Sequence, residues 1–232
     1  MSKRRYADVA VVPHDGVFSI ALDGRTVKTP GGEVLAVRTM TLGDAVAGEW
    51  RAQGETILPA TMPLTRYAST AIDRIAPARG RIIDAMIRHV DTDALCYRAE
   101  DPTDLVARQS ARWDPVLDWA QDRFAVRFTV ARGIMPVQQP DTHHRALRAY
   151  VSGFRDLSLT VLGDLAEMTG SLIIAAAAAE GHFDAEQAFA LSHLDETYQI
   201  ERWGQDEEAR IRRDNVKTDI GHAVNALALD RD

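Results

Sequence analysis

The 232-residue chain contains several side-chain groups whose types and spacing could support chemistry. His89-Val90-Asp91-Thr92-Asp93 has metal-ligand residue types, and on a helix His89 and Asp93 would share one face at i, i+4. The plainer reading of the same segment is a helix end, with Asp91 or Asp93 capping whatever follows. His193 and Glu196 stand at i, i+3, half of a carboxylate-bridged metal motif in reversed order. Such a site needs a second copy and further glutamates on facing helices, and the sequence offers no obvious second copy. His143 and His144 are adjacent, so on a helix they point about 100° apart and chelate one ion poorly. Gly31-Gly32 is too short to cradle phosphates, and no Lys-Ser/Thr follows it. Cys96, the single cysteine, lies in the apolar run Ala94-Leu95-Cys96-Tyr97, the setting of an inert buried thiol. No serine nucleophile elbow is present. The expectation is therefore a protein without catalysis, metal or cofactor. A metal-dependent hydrolase using His89, Asp91, Asp93 and the acids of 193–208 is the alternative.

The elements that would position these residues fall into two parts. The N-terminal part reads as β structure: Ala7–Val12, then Val17–Leu22 with Phe18, Ile20 and Leu22 on one face. Asp23-Gly24 signals a two-residue hairpin, because a type I′ turn needs positive φ at both central positions. That turn sets Leu22 opposite Arg25, Ala21 opposite Thr26 and Ile20 opposite Val27. Cross-strand partners share a face, so Ile20 and Val27 should be buried together. Arg25–Thr29 is the return strand, Glu33–Val37 another, and Thr56–Leu58 a short further one. Thr41 is read as the N-cap of a helix reaching about Ala52, and 63–75 as a second helix. Pro77 and Gly80 mark a boundary.

Beyond it the signals are helical. Ile82, Ile83, Met86, Ile87 and Val90 make one apolar stripe. Asp114-Pro115 reads as an N-cap with proline at the first helical position. Leu172–Ala179, apolar around most of its circumference, reads as a buried central helix. Gly181 stops it, and Asp184 with Gln187 caps the next. The expected fold class is α+β: a small N-terminal β-rich α+β domain over 1–78, followed by a larger all-helical domain over 79–232.

Composition excludes several function classes. Apolar residues make up 46% and charged residues 26%, values of an ordinary globular chain. A net charge of −7 argues against nucleic acid as the main partner. The longest apolar run is far shorter than the roughly 20 residues a membrane span needs. A lone cysteine suits a reducing compartment, and neither a signal h-region nor an Arg/Ser-rich presequence follows the N-terminal basic residues, so a cytoplasmic location is expected.

The most distinctive stretch is His193-Leu-Asp-Glu-Thr-Tyr-Gln-Ile-Glu-Arg-Trp-Gly204, followed by the acids Asp206, Glu207 and Glu208. Leu191, Leu194 and Tyr198 give it an inward stripe, with Asp195 and Glu196 near the edge and outer face. A solvated helix laced by pairs such as Asp206–Arg210 and Glu208–Arg212 would have the same composition, and each pair would contribute only about 0.3–0.5 kcal/mol. Trp203-Gly204 stands apart, because Trp is a frequent interface anchor.

Five blocks then resemble a known family. They are Leu22-Asp-Gly-Arg-Thr-Val-Lys-Thr-Pro30, Ala47-Gly-Glu-Trp50, Met62-Pro-Leu-Thr-Arg-Tyr-Ala-Ser-Thr-Ala-Ile-Asp73, and Thr92-Asp-Ala-Leu-Cys-Tyr-Arg98 with Gln109 and Trp113-Asp-Pro115; the fifth is Asp195–Gly204. Together they resemble the ATP synthase assembly chaperones that bind the alpha subunit of the soluble catalytic head. The resemblance implies transient capture of the unassembled alpha subunit, shielding of its interface until the beta subunit arrives, and no catalysis. It implies a contact role for an acid that falls at Asp195 or Glu196, and the candidate partner-binding residues are Asp195, Glu196, Gln199 and Trp203. The missing presequence points to a bacterial, cytoplasmic member (mitochondrial matrix for eukaryotic members of the family), and a chain that must keep its surface free for the client is expected to be monomeric when free. A stable adaptor in another complex is the remaining alternative.

Overall fold

The computed structural model describes residues 3–133, 136 and 138–231. The chain divides into two compact units, Met1–Arg79 with Arg155–Val161 and Asn225–Asp232, and Gly80–Phe154 with Leu162–Val224.

The first unit is built on a four-stranded antiparallel sheet. Strands β1 (Val9–His14) and β2 (Val17–Leu22) pair in the register Val9↔Leu22 to His14↔Val17. Their turn is Asp15-Gly16, with φ of 46° and 82°. Asp23-Gly24 closes the next hairpin the same way, at φ of 47° and 77°, and β3 (Arg25–Thr26) pairs Leu22↔Arg25 and Ala21↔Thr26 as expected. Val27 N–H then donates to the Ile20 carbonyl at 2.7 Å, and both side chains are buried. Strand β4 (Ala36–Val37) also pairs with β2.

Helix α1 (Met40–Arg51) packs on β1 and β2 through Leu42, Gly43, Val46 and Ala47. Gly43 permits that approach, since a Cβ there would lie 2.9 Å from Val11 Cγ1. The helix is capped by Thr39, not Thr41: the Thr39 hydroxyl accepts from Leu42 N–H at 3.2 Å. Thr56 contributes only an isolated bridge to Lys3, so no strand forms over 56–58.

Helix α2 (Pro63–Thr70) runs through a π-helical turn, Ala71–Ile75, into α3 (Ala76–Arg88). The helix read as ending at 75 thus runs on through Pro77 and Gly80 to Arg88, and the first division between the two units falls within it, between Arg79 and Gly80. Pro77 cannot donate an N–H and crowds the carbonyl four residues back. The turn just before it is widened, with Ala76 N–H reaching Ala71 O, so the regular i→i−4 ladder is already interrupted where the proline enters.

Two carboxylates tie these pieces together. Glu49 on α1 accepts from the N–H groups of Leu64 (2.7 Å) and Thr65 (2.8 Å) and from Thr65 Oγ1 (2.7 Å), capping α2 from outside. Asp73 accepts from Thr29 Oγ1 (2.6 Å) and Gly31 N–H (2.8 Å), fixing the Pro30-Gly31-Gly32 turn. Three of the sequence blocks therefore meet as cap and capped partner.

The second unit is mainly helical: α4 (Thr103–Phe124), α5 (Asp141–Ser152), α6 (Asp156–Thr169) from Leu162 onward, α7 (Leu172–Ala179), α8 (Ala185–Ser192), α9 (Leu194–Trp203) and α10 (Glu207–Arg231) up to Val224. It also holds a short parallel pair, β5 (Tyr97–Arg98) with β6 (Ala131–Arg132). Every residue of α7 is buried, as its unbroken apolar sequence requires. Asp184 and Gln187 form the expected capping box at α8. Pro115 does not start a helix; it sits inside α4, and Asp114 pairs with Arg98 instead of capping. Overall the chain is α+β, with strands first and helices after. Among the described residues no helix is long and apolar enough to cross a membrane.

Candidate functional site

The metal-like residues do not converge. The 89–92 segment is a 3₁₀ turn, and the Asp93 carboxylate, 2% exposed, turns inward. It accepts from Leu95 N–H (3.1 Å) and Ile173 N–H (3.1 Å) at the start of α7. Burial pushes its pKa up to about 6, outweighing the hydrogen bonds that favour its charged form. Asp91 accepts from Gln139 N–H at 2.7 Å and faces His144 Nε2 at 3.2 Å, while His143 Nε2 lies 2.9 Å from the Arg127 carbonyl. Glu196 is engaged by arginines, and His193 stacks on Phe189 at 4.4 Å, where burial pushes its imidazole below the ordinary range. Among the described residues no group of three His, Cys, Asp or Glu side chains could hold a metal ion. Cys96 is fully buried, and burial raises its thiol far above reactive values.

The C-terminal block is arranged differently. Leu194 and Tyr198 are buried and seat α9 on α4. The Tyr198 hydroxyl donates to Asp104 Oδ1 at 2.7 Å, and Arg202 lies over the Tyr198 ring while pairing with Asp104. Arg108 and Glu201 form a second clasp at 2.8 Å. Asp195 and Glu196 occupy the first turn of α9, where the helix dipole favours acids. Both are half-buried and point to different neighbours. Asp195 Oδ1 accepts from Gln109 Nε2 at 2.8 Å; Glu196 accepts from Arg213 (2.7 Å) and Arg212 (3.4 Å) on α10. Gln199 is exposed, and Trp203 is 75% exposed immediately before Gly204, whose φ of 77° ends the helix.

The pairs sketched from sequence also change partners. Asp206 caps α10 by accepting from Ala209 N–H at 2.8 Å, and Arg210 bridges Glu207 and Asp214. A cleft of about 830 Å³ opens between α4, α8, α9 and α10, with Phe189 and Leu194 in its wall and Arg112, Arg213 and Lys217 among its charged groups. Sequence reading missed this cleft, because its walls come from three separate stretches, 108–116, 182–201 and 213–217. It also missed Gln109 as the partner of Asp195, 86 residues away, although Gln109 stands within one of the blocks quoted above.

Residues 3–121 match the family model described as ATP12 chaperone protein. The chain is 37% identical to Atp12 from Paracoccus denitrificans, covering 99% of this chain and 98% of that one at a TM-score of 0.94. An aspartate-to-lysine mutant of P. denitrificans Atp12p superposes equally well, at a TM-score of 0.95 with the same identity and coverage. The mitochondrial protein atp12 of Schizosaccharomyces pombe is 26% identical, over 96% of this chain and 81% of its own length. The chain belongs to the ATP12 chaperone family, the ATP synthase assembly chaperones that its sequence blocks resemble.

Proposed function

We propose that this chain captures the unassembled alpha subunit of the ATP synthase catalytic head, shields its subunit interface, and yields it when the beta subunit arrives. It performs no chemistry of its own and needs no cofactor, and it acts in the cytoplasm as a monomer. The observation that carries the partner contact is Trp203. A large apolar side chain is left 75% exposed at the end of a helix whose other apolar residues are packed and whose charges are clasped. Exposed aromatics with a polar surround are typical anchors of protein interfaces. Gln199 lies one turn before it on the same helix, and Asp195 and Glu196 two turns before. These four residues form the proposed contact strip. An obligate subunit interface exposed on a free monomer is a large apolar patch, which is what such a chaperone must cover.

The test is co-expression of the tagged chain with the alpha and beta subunits, singly and together. Recovery of alpha alone, and its loss when beta is also present, is expected. Recovery of another stable complex in place of alpha would support an adaptor and contradict the reading.

A further inference from the structure

Gln109 lies on α4 and is 1% exposed, with both ends of its side-chain amide engaged. Oε1 accepts from Ala99 N–H at 2.8 Å, and Nε2 donates to Asp195 Oδ1 at 2.8 Å. The amide cannot be turned round. Flipped, its carbonyl would face the carboxylate and its NH₂ would face the Ala99 N–H, leaving two unfavourable contacts. Its backbone carbonyl is held as well, accepting from Arg98 Nη1 at 3.1 Å. The Arg98 guanidinium pairs with Asp114 at 2.9 Å and lies 4.9 Å from the centre of the Trp113 ring. The Trp113 indole in turn donates to the Leu191 carbonyl at 2.9 Å, three residues before α9 begins. Arg98, Gln109 and Trp113 thus form one buried polar layer beneath the first turn of α9.

Asp195 is half-buried above that layer. One carboxylate oxygen is committed inward to Gln109, and among the described residues Oδ2 accepts no hydrogen bond. Glu196, one residue on, is instead engaged by two arginines of this chain. The buried Arg98 guanidinium also acts on Asp195 through space, without a hydrogen bond to it among the described residues. A carboxylate bonded at one oxygen has already lost rotamer freedom, so pairing its other oxygen with an incoming donor costs little further ordering.

We propose that Gln109 is a positioning residue for partner capture, holding Asp195 so that its open oxygen meets an Arg or Lys side chain of the client. The proposal rests on the reading that Asp195 belongs to the contact strip. A charge-assisted bond from a cationic client group is the match for an open carboxylate oxygen in a chain of net charge −7. Gln109 has no contact with the client and acts only through Asp195.

The experiment is a mutant cycle read by both melting temperature and affinity for the purified alpha subunit of the ATP synthase head. Asp195→Asn keeps an acceptor for Gln109 and removes the charge. Gln109→Met keeps the volume and frees Asp195. Each should weaken binding at least tenfold, and the double variant should be no weaker than Asp195→Asn alone. Multiplying losses in the double variant would overturn the proposal, because Gln109 would then act independently of Asp195. So would normal binding by folded Gln109→Met when Asp195→Asn is weak, and the contact strip would then still stand. Normal binding by Asp195→Asn would instead remove Asp195 from the strip itself. If Gln109→Met fails to fold, the exchange pair Gln109→Glu with Asp195→Asn restores the bond with donor and acceptor swapped. It should recover the melting temperature and leave binding at least tenfold weak; recovery of both would show the bond to be a structural staple only.

Discussion

The Asp93 carboxylate accepts a hydrogen bond from the backbone N–H of Ile173, 80 residues further along, at 3.1 Å. Ser171 caps the same helix by accepting from Ile174 N–H at 3.0 Å, so α7 begins on two side-chain acceptors. A wholly buried helix has no water to satisfy its first N–H groups, which makes these acceptors a condition of burying it.

Stability should therefore depend on pH through Asp93. Its unfolded value is near 3.8 and its folded value about 6, so between these the folded state holds a proton that the unfolded state has released. Its contribution is full below about pH 4 and is lost as pH rises through about 6, then stays level. The span corresponds to on the order of 3 kcal/mol at 1.36 kcal/mol per unit. Urea unfolding from pH 4 to 7.5 should show this fall in the wild type and not in Asp93→Asn, which has no proton to lose. An equal slope in both proteins would contradict the assignment.

Short-range features of this fold were legible in the sequence, and long-range ones were not. The Asp23-Gly24 hairpin with its Ile20–Val27 partnership, the Asp184–Gln187 capping box and the buried α7 all follow from neighbours within a few residues. Asp114-Pro115 misled because its local pattern also suits a helix start, while the pairing of Asp114 with Arg98 kept Pro115 within a longer helix. The helix end read at 75 was wrong because the π-helical turn over Ala71–Ile75, which carries the chain on into α3, has no signature in residue types. Asp195 was visible as a candidate, but its direction depends on Gln109, and a partner 86 residues away is set by tertiary packing.

Gly31→Ala should destabilise the first unit. A Cβ there would lie 2.5 Å from Asp73 Oδ1, so the carboxylate must move and the bonds to Thr29 and Gly31 weaken. A loss of about 1–2 kcal/mol is expected, the net worth of hydrogen bonds to a half-buried carboxylate. Asp73→Ala should lose a similar amount, and adding Gly31→Ala to it should cost little more. Chemical denaturation of the three variants checks this; fully additive losses would contradict it.

Trp203→Ala should leave the fold unchanged to within about 0.5 kcal/mol, as expected for an exposed position away from caps and core. Its affinity for the alpha subunit should fall by about 2 kcal/mol or more, roughly 30-fold, the range of an interface anchor. Melting temperature and isothermal titration on the same preparation separate the two effects. A stability loss without an affinity loss would place Trp203 in the structure instead of the interface.

Charge reversal at Glu196 differs from that at Asp195, because Glu196 is held by Arg212 and Arg213. Glu196→Lys sets a cation against two arginines and should lower the melting temperature, whereas Glu196→Gln should lose at most about 1 kcal/mol. Affinity for the alpha subunit measured on folded Glu196→Gln shows whether its charge reaches the client. Unchanged binding would remove Glu196 from the contact strip.

The central claim is capture of the alpha subunit followed by its release to beta. The most direct measurement is light scattering on size-exclusion chromatography of the purified chain with isolated alpha subunit, repeated after addition of beta. A one-to-one complex with alpha, dissolving into free chain and an alpha–beta species when beta is added, is the predicted result. No complex with alpha, or a complex that persists unchanged beside excess beta, would contradict the account.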